Sequence, residues 1–279
     1  MASTLGPTPG NHWQQGARPP QQVASDPGTP RSILITGASS GIGEALARSY
    51  AAPGVTLALS GRDQARLDAV AAACQAAGAT VAAQTVEVTD TAALKAWIEA
   101  CDAAAPLELV IANAGISAGT GDGTESDEQA RAIFAVNQAG VLNTVQPAID
   151  LMRPRRRGQI AIMASLASFR GFPGAPAYCA SKAAVRIWGE GLRGHLAAEG
   201  IGVSVICPGF VRSRMTAVNR FHMPFLMEAD EAAAIIRRGL ARNKARIAFP
   251  WQMAAIIWLL SALPPALTDR ALVRLPEKG

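Results

Sequence analysis

Short apolar runs alternate along the chain with longer Ala-rich stretches. The runs are ILIT at 33–36, VTLALS at 55–60, TVAAQTV at 80–86, LELVIA at 107–112, GQIAIMA at 158–164 and GVSVICP at 202–208. Apolar residues follow one another in most of these runs instead of alternating with polar ones, the pattern of a strand covered on both faces. The stretches between them are long enough for a helix, and a parallel strand pair needs such a crossover. The pattern predicts an α/β protein: a doubly wound parallel sheet with helices on both faces. No internal repeat and no second domain boundary interrupt it after residue 31.

The two ends break this rhythm. Residues 1–30 hold six prolines and four glycines, with Arg18 and Asp26 as the charged side chains. They have no apolar face to offset the entropy of ordering, so we expect a flexible tail over 1–30 and the folded domain over 31–279. A secretory signal is not expected, since no basic start leads into an apolar run and a small-residue cleavage site. At the other end, residues 247–268 are 22 consecutive uncharged positions, but Pro250 and Pro264 leave 13 residues between them. A span needs about 20. The segment is therefore expected to be a helix in the core, in a dimer contact or on a membrane surface. Trp251 and Trp258 lie seven apart, on one helical face. We expect that face to be buried, because a surface-lying helix ordinarily carries a strongly polar side.

Composition narrows the class. With 49% hydrophobic and 17% charged residues the chain is not disordered, collagenous or coiled-coil. The net charge of +5 suits a phosphate-bearing ligand or an anionic surface and is too small to imply nucleic acid. Cys74, Cys101, Cys179 and Cys207 form no CxxC pair and no Cys/His cluster, so no metal site is expected. They read as reduced thiols of a cytoplasmic protein.

The chemistry begins where the first strand runs into TGASSGIG. Gly37, Gly41 and Gly43, with Ser39, Ser40 and Ile42 between them, let the backbone turn sharply and approach a pyrophosphate at a helix N-terminus. The spacing is GxxxGxG, not the GxGxxG of the common dinucleotide fingerprint. The second strand ends in Ser60-Gly61-Arg62, where an acidic residue would bind the ribose of NAD. Arg62 instead offers charge-assisted bonds to a 2′-phosphate, so NADP is expected over NAD. Asp63 is a candidate N-cap for the helix that follows. After the fifth strand comes Ser165, then Tyr178 thirteen residues later and Lys182 four beyond it, on the same helical face. A phenol with a pKa near 10 moves protons poorly at neutral pH unless a nearby cation stabilises its phenolate; Lys182 could supply that charge, although such a pair alone also fits a buried aromatic beside a snorkelling Lys.

Taken in order, TGASSGIG, ANAG at 112–115, Asn137 in NQAG, Ser165, Tyr178 and Lys182 in YCASK, and PGFVRS at 208–213 resemble the short-chain dehydrogenase/reductase family over about residues 31–215. The resemblance implies a Rossmann-type domain and an enzyme interconverting a carbonyl and an alcohol. It makes Tyr178 the acid/base and Lys182 the ligand of the nicotinamide ribose. Ser165 would steady the substrate carbonyl, and Asn137 would support a proton-relay water. Asn113, Ala114, Gly115, Pro208, Gly209, Val211 and Ser213 would border the cofactor. The chain departs from the family in Ala112-Asn113, where a double asparagine is usual, and in Glu87, an acid near the expected adenine position. It also ends in RIAFP and an apolar segment in place of the glycine-ending last strand of the family's tetramers. A homodimer is expected instead. Met215, Phe221, Met223, Phe225, Leu226 and Met227 either cap an apolar substrate or pack the core. The rival class is a nucleotide-binding or redox-sensing protein without catalysis. It would need the glycine loop but not Asn137, Ser165, Tyr178 and Lys182.

Overall fold

In the computed structural model, which describes residues 29–117, 125–219 and 222–272, every apolar run becomes a strand of one parallel sheet. The strands are β1 (Ser32–Thr36), β2 (Thr56–Gly61), β3 (Thr80–Thr85), β4 (Leu109–Ala112), β5 (Gly158–Met163), β6 (Ile201–Pro208) and β7 (Arg246–Phe249). The tail expected over 1–30 lies outside the described residues except for its last two, as do Phe221 and residues 273–279.

The sheet order is β3-β2-β1-β4-β5-β6-β7. The chain winds outward from β1 to β3, crosses to β4 beside β1, and winds outward again. A doubly wound sheet of this kind opens a crevice at the C-terminal strand ends, where the direction reverses. The seventh strand was not among the expected six. It pairs in parallel with β6, Ile206 opposite Ile247 and Pro208 opposite Phe249. Its four residues are too few for a pattern to stand out from the sequence, yet Ile247 and Phe249 point inward and are buried.

Alternate strand residues feed two cores. Ile33, Ile35, Leu57 and Leu59 pack with Leu46 of α1 (Gly41–Tyr50), Leu67 of α2 (Gln64–Ala76) and Ile236 of α8 (Ala229–Ala241). On the opposite face Leu34, Val110, Ile160, Ile162 and Val205 pack with α3 (Thr91–Ala104), α5 (Gly140–Met152) and α6 (Pro176–Leu196). Helix α4 (Asp127–Phe134) leads through a π-helical turn at Ala135–Ala139 into α5, while α7 (Arg214–Ala217), α9 (Trp251–Ala262) and α10 (Pro265–Leu272) follow the last two strands.

α6 carries the YCASK string and lies flat on the sheet because Gly189 permits it. A Cβ there would stand 2.8 Å from Val205 Cγ2 and 2.9 Å from Ile162 Cδ1. Gly189→Leu is therefore expected to lift α6 and cost about 1–3 kcal/mol through overpacking. Denaturant unfolding should show a lower midpoint with an unchanged slope.

Candidate active site

One cleft of about 840 Å³ opens at the C-terminal ends of the strands. The residues expected to border the cofactor all line it, from Gly37, Ser39, Ser40, Gly41, Ile42, Gly43 and Arg62 through Asn113, Ala114 and Gly115 to Pro208, Gly209, Val211 and Ser213. Ser165, Tyr178 and Lys182 line it as well. Asn137 is the exception: it is fully buried behind the cleft wall.

The loop after β1 is held by backbone contact. Gly37 and Gly41 have φ of +68° and +57°, in the left-handed region that favours glycine. A Cβ on Gly37 would lie 2.8 Å from Ala114 Cα. Asn113 stitches β4 to this loop, its Nδ2 donating to the Thr36 and Gly37 carbonyls at 3.0 Å each. The Thr36 hydroxyl accepts from the Asn113 and Ala114 N–H groups at 3.2 Å each. Ser40 enters α1 in extended conformation and makes no side-chain cap bond. Residues 40–43 thus present a helix N-terminus to the cleft, which suits a pyrophosphate.

Next to it β2 ends at Gly61, where a Cβ would stand 2.9 Å from Ser39 Oγ. Arg62 is exposed at the cleft edge. Asp63 caps α2, accepting from the Arg66 N–H at 3.0 Å. Arg66, which sequence reading missed, also lines the cleft and pairs with Asp63 at 2.7 Å. Its place four residues after Arg62 on a helix was the available signal. A nicotinamide dinucleotide fits these residues: a bare glycine cradle and helix N-terminus for the diphosphate, and two guanidinium groups at the far edge.

Pro176 starts α6 at its first turn, where a missing N–H costs nothing. The Glu125 carboxylate accepts from the Ala177 N–H at 2.7 Å. This contact spans 52 residues and had no sequence signal. Tyr178 and Lys182 follow on one face, the ammonium 6.0 Å from the ring centre. Lys182 Nζ donates to the Met163 carbonyl at 2.9 Å and is almost fully buried. Lost hydration lowers its pKa to about 8. Burial pushes the Tyr178 phenol above its ordinary 10, and a hydrogen bond with Ser165 offsets part of that rise. The Ser165 hydroxyl accepts from the Ala167 N–H at 3.1 Å and donates to the Pro208 carbonyl at 3.4 Å.

Asn137 sits on the π-helical turn and clamps the chain after β4. Its Oδ1 accepts from the Ile116 N–H at 2.7 Å, and its Nδ2 donates to the Ile116 carbonyl at 2.8 Å and to Ser181 Oγ at 3.2 Å. Gly115 lies directly over this clamp, where a Cβ would be 3.2 Å from both Asn137 Oδ1 and Lys182 Nζ.

The other end of the cleft is apolar. Phe172, Met215, Phe225, Met253, Ile257 and Leu260 line it. Of the apolar cluster noted after PGFVRS, Met215 and Phe225 are cleft residues, whereas Met227 packs against the core. The expected burial of the Trp251/Trp258 face is not observed: the two indoles are 74% and 64% exposed, while Ile257 turns inward. The inner face of α9, with Met253, Ile257 and Leu260, lines the cleft, and its outer face carries the two indoles. Among the described residues no helix is long and apolar enough to cross a membrane.

A family model for short chain dehydrogenases matches residues 31–223. A Myxococcus xanthus protein described as an uncharacterized oxidoreductase is 41% identical over 246 residues, covering 88% of this chain and 97% of that one. A short chain dehydrogenase/reductase from Burkholderia phymatum, solved in complex with NAD, aligns with a TM-score of 0.77 at 25% identity, over 91% of this chain and 99% of that one. A short-chain dehydrogenase from Sphingobium yanoikuyae, in complex with NADPH, gives 0.73 at 27% identity, over 88% and 96%. The chain belongs to the short-chain dehydrogenase/reductase family. It is an NAD(P)-dependent dehydrogenase/reductase.

Asn137→Ala would strip both polar groups of Ile116 of their partners. We expect it to cost about 2 kcal/mol and to loosen the 113–116 segment. Unfolding measurements read the first effect, and faster amide exchange at Ile116 reads the second.

Proposed function

We propose that this enzyme interconverts a ketone or aldehyde and its alcohol, prefers NADP to NAD, and acts on a bulky apolar substrate. The observation that carries this reading is that Ser165, Tyr178 and Lys182 share one wall of a cleft whose far end is the glycine loop and whose near end is apolar. A bound nicotinamide dinucleotide supplies the hydride. The Ser165 hydroxyl and the Tyr178 phenol donate to the carbonyl oxygen as negative charge grows there. Tyr178 then passes its proton to that oxygen, completing the alcohol. The Lys182 ammonium, fixed by the Met163 carbonyl, holds the ribose hydroxyls and steadies the phenolate left behind. Asn137 is a positioning residue that holds the 113–116 segment beside Lys182.

Tyr178→Phe keeps the ring and removes the proton. Turnover should fall by about 100-fold or more while NADPH affinity stays near normal. Single-turnover reduction and NADPH titration separate the two, and near-normal chemistry in the Phe variant would remove Tyr178 from this role.

Arg62 and Arg66 support the NADP preference, because no acidic side chain stands at the end of β2 to meet a ribose hydroxyl. Arg62→Ala should raise the KM for NADPH by about ten-fold or more, the loss of a charge-assisted pair. The KM for NADH should barely change.

The pH profile follows from the same groups. Below pH 8 the Lys182 ammonium keeps its charge, and above about 8 it loses it. The Tyr178 phenol, raised above 10, keeps its proton throughout that range. The kcat/KM for carbonyl reduction, which reports the free enzyme, should be level on the acid side and fall as pH rises through about 8.

A further inference from the structure

The apolar end of the cleft does not stop at the cleft. Ile256 lines its wall and is 52% exposed, and Phe225, from the segment between α7 and α8, lines it and is 48% exposed. From Ile256 the apolar surface continues along the outer face of α9 through Trp251, Trp258 and Leu259, each more than half exposed. α9 thus contributes both to the cleft lining, through Met253, Ile256, Ile257 and Leu260, and to the exposed apolar patch.

From this geometry we infer that the outer face of α9 and the Phe225 rim seat on a lipid surface, and that the cleft takes its apolar carbonyl substrate from the acyl layer. Three observations favour lipid over a protein occupant. First, exposed apolar groups from two separate segments border the mouth, so a second copy seated on both would close the entrance, whereas a fluid acyl layer supplies it. Second, one side of α9 lines the cleft, and the rest of the helix is apolar too apart from Gln252 and Ser261, which suits a non-aqueous neighbour on its outer side. Third, residues 247–268 carry no charge that lipid burial would have to neutralise, Arg214 is an exposed cation on the short helix bordering the mouth, and the chain as a whole is at +5. That combination suits an anionic headgroup layer over an apolar one. The exposed indoles match the preference of Trp for the headgroup level. The docking half stands independently of the reaction, whereas the substrate half rests on the function proposed above.

The test is flotation of the purified full chain with phosphatidylcholine vesicles, with and without phosphatidylglycerol. The wild type should float with both, more strongly with phosphatidylglycerol, and flotation should persist in high salt. Brominated acyl chains should quench part of its tryptophan emission. The double variant Trp251→Gln, Trp258→Gln should partition about ten-fold less or weaker, and Leu259→Glu should weaken partition similarly. Both variants should unfold at the wild-type temperature and match wild type on a water-soluble aldehyde or ketone. On a long-chain ketone carried in the vesicles they should be slower.

A wild type that stays at the bottom of the gradient with both vesicle types overturns the inference, as does undiminished flotation of both variants. A dimer dissolved by the tryptophan substitutions, without flotation of the wild type, gives the face to a second copy and also overturns it. Flotation without turnover of any carbonyl, soluble or vesicle-borne, would instead remove the proposed reaction and leave the docking surface standing.

Discussion

Lys182 brings an ammonium group into the interior, where lost hydration costs several kcal/mol unless other groups compensate. Its surroundings are built around that cost. The Met163 carbonyl at the end of β5 accepts one N–H, Gly115 leaves room for Nζ, and Asn137 holds the Gly115–Ile116 backbone in place. The sheet end, the π-helical turn and α6 are therefore linked through one charge. Its depressed pKa is the signature of that burial, and it leaves the ammonium ready to answer negative charge placed beside it.

The two ends of the cleft are made in different ways. At the nucleotide end the contacts are short and fixed, with Gly37 against the Ala114 backbone, Gly61 against the Ser39 side chain, and the Asn113 side chain bridging two carbonyls. Such contacts leave almost no room for substitution and define a rigid, polar cradle. The substrate end is framed by side chains on short elements, with Met215 from the four-residue α7 and Met253 and Leu260 from α9. Methionines adapt their shape at little cost. One end suits a fixed ligand common to a family, and the other is free to follow the substrate.

α10 completes the frame. Arg170, next to the 3-10 turn that follows Ser165, donates to Thr268 Oγ1 at 3.1 Å and to Asp269 Oδ1 at 2.7 Å. This ties the C-terminal helices to the segment that carries Ser165. The apolar wall and the polar reacting groups are in this way parts of one unit, although about a hundred residues separate them in the chain.

Much of this molecule was legible in its sequence. Strands buried on both faces read as continuous apolar runs because neither side can be polar, so six of the seven could be placed. The glycine loop, Arg62, Ser165 and the Tyr178/Lys182 pair stand out in the sequence as residue types at short, fixed separations, and the fold brings them to one cleft. β7 was not legible, since four residues do not make a pattern until β6 is there to pair with them. Glu125 was not, because its contact with the Ala177 N–H depends on what stands across from it, and Arg66 offered only its nearness to Arg62. The face of α9 was read wrongly. A helix apolar on all sides carries no direction in its sequence, and only its position against the cleft determined that Ile257 is covered while Trp251 and Trp258 are left outside. Local patterning determined the elements and the candidate groups of the cleft, because those depend on neighbours within a few residues. Tertiary packing decided which surfaces are inside, because burial depends on what the rest of the chain brings alongside.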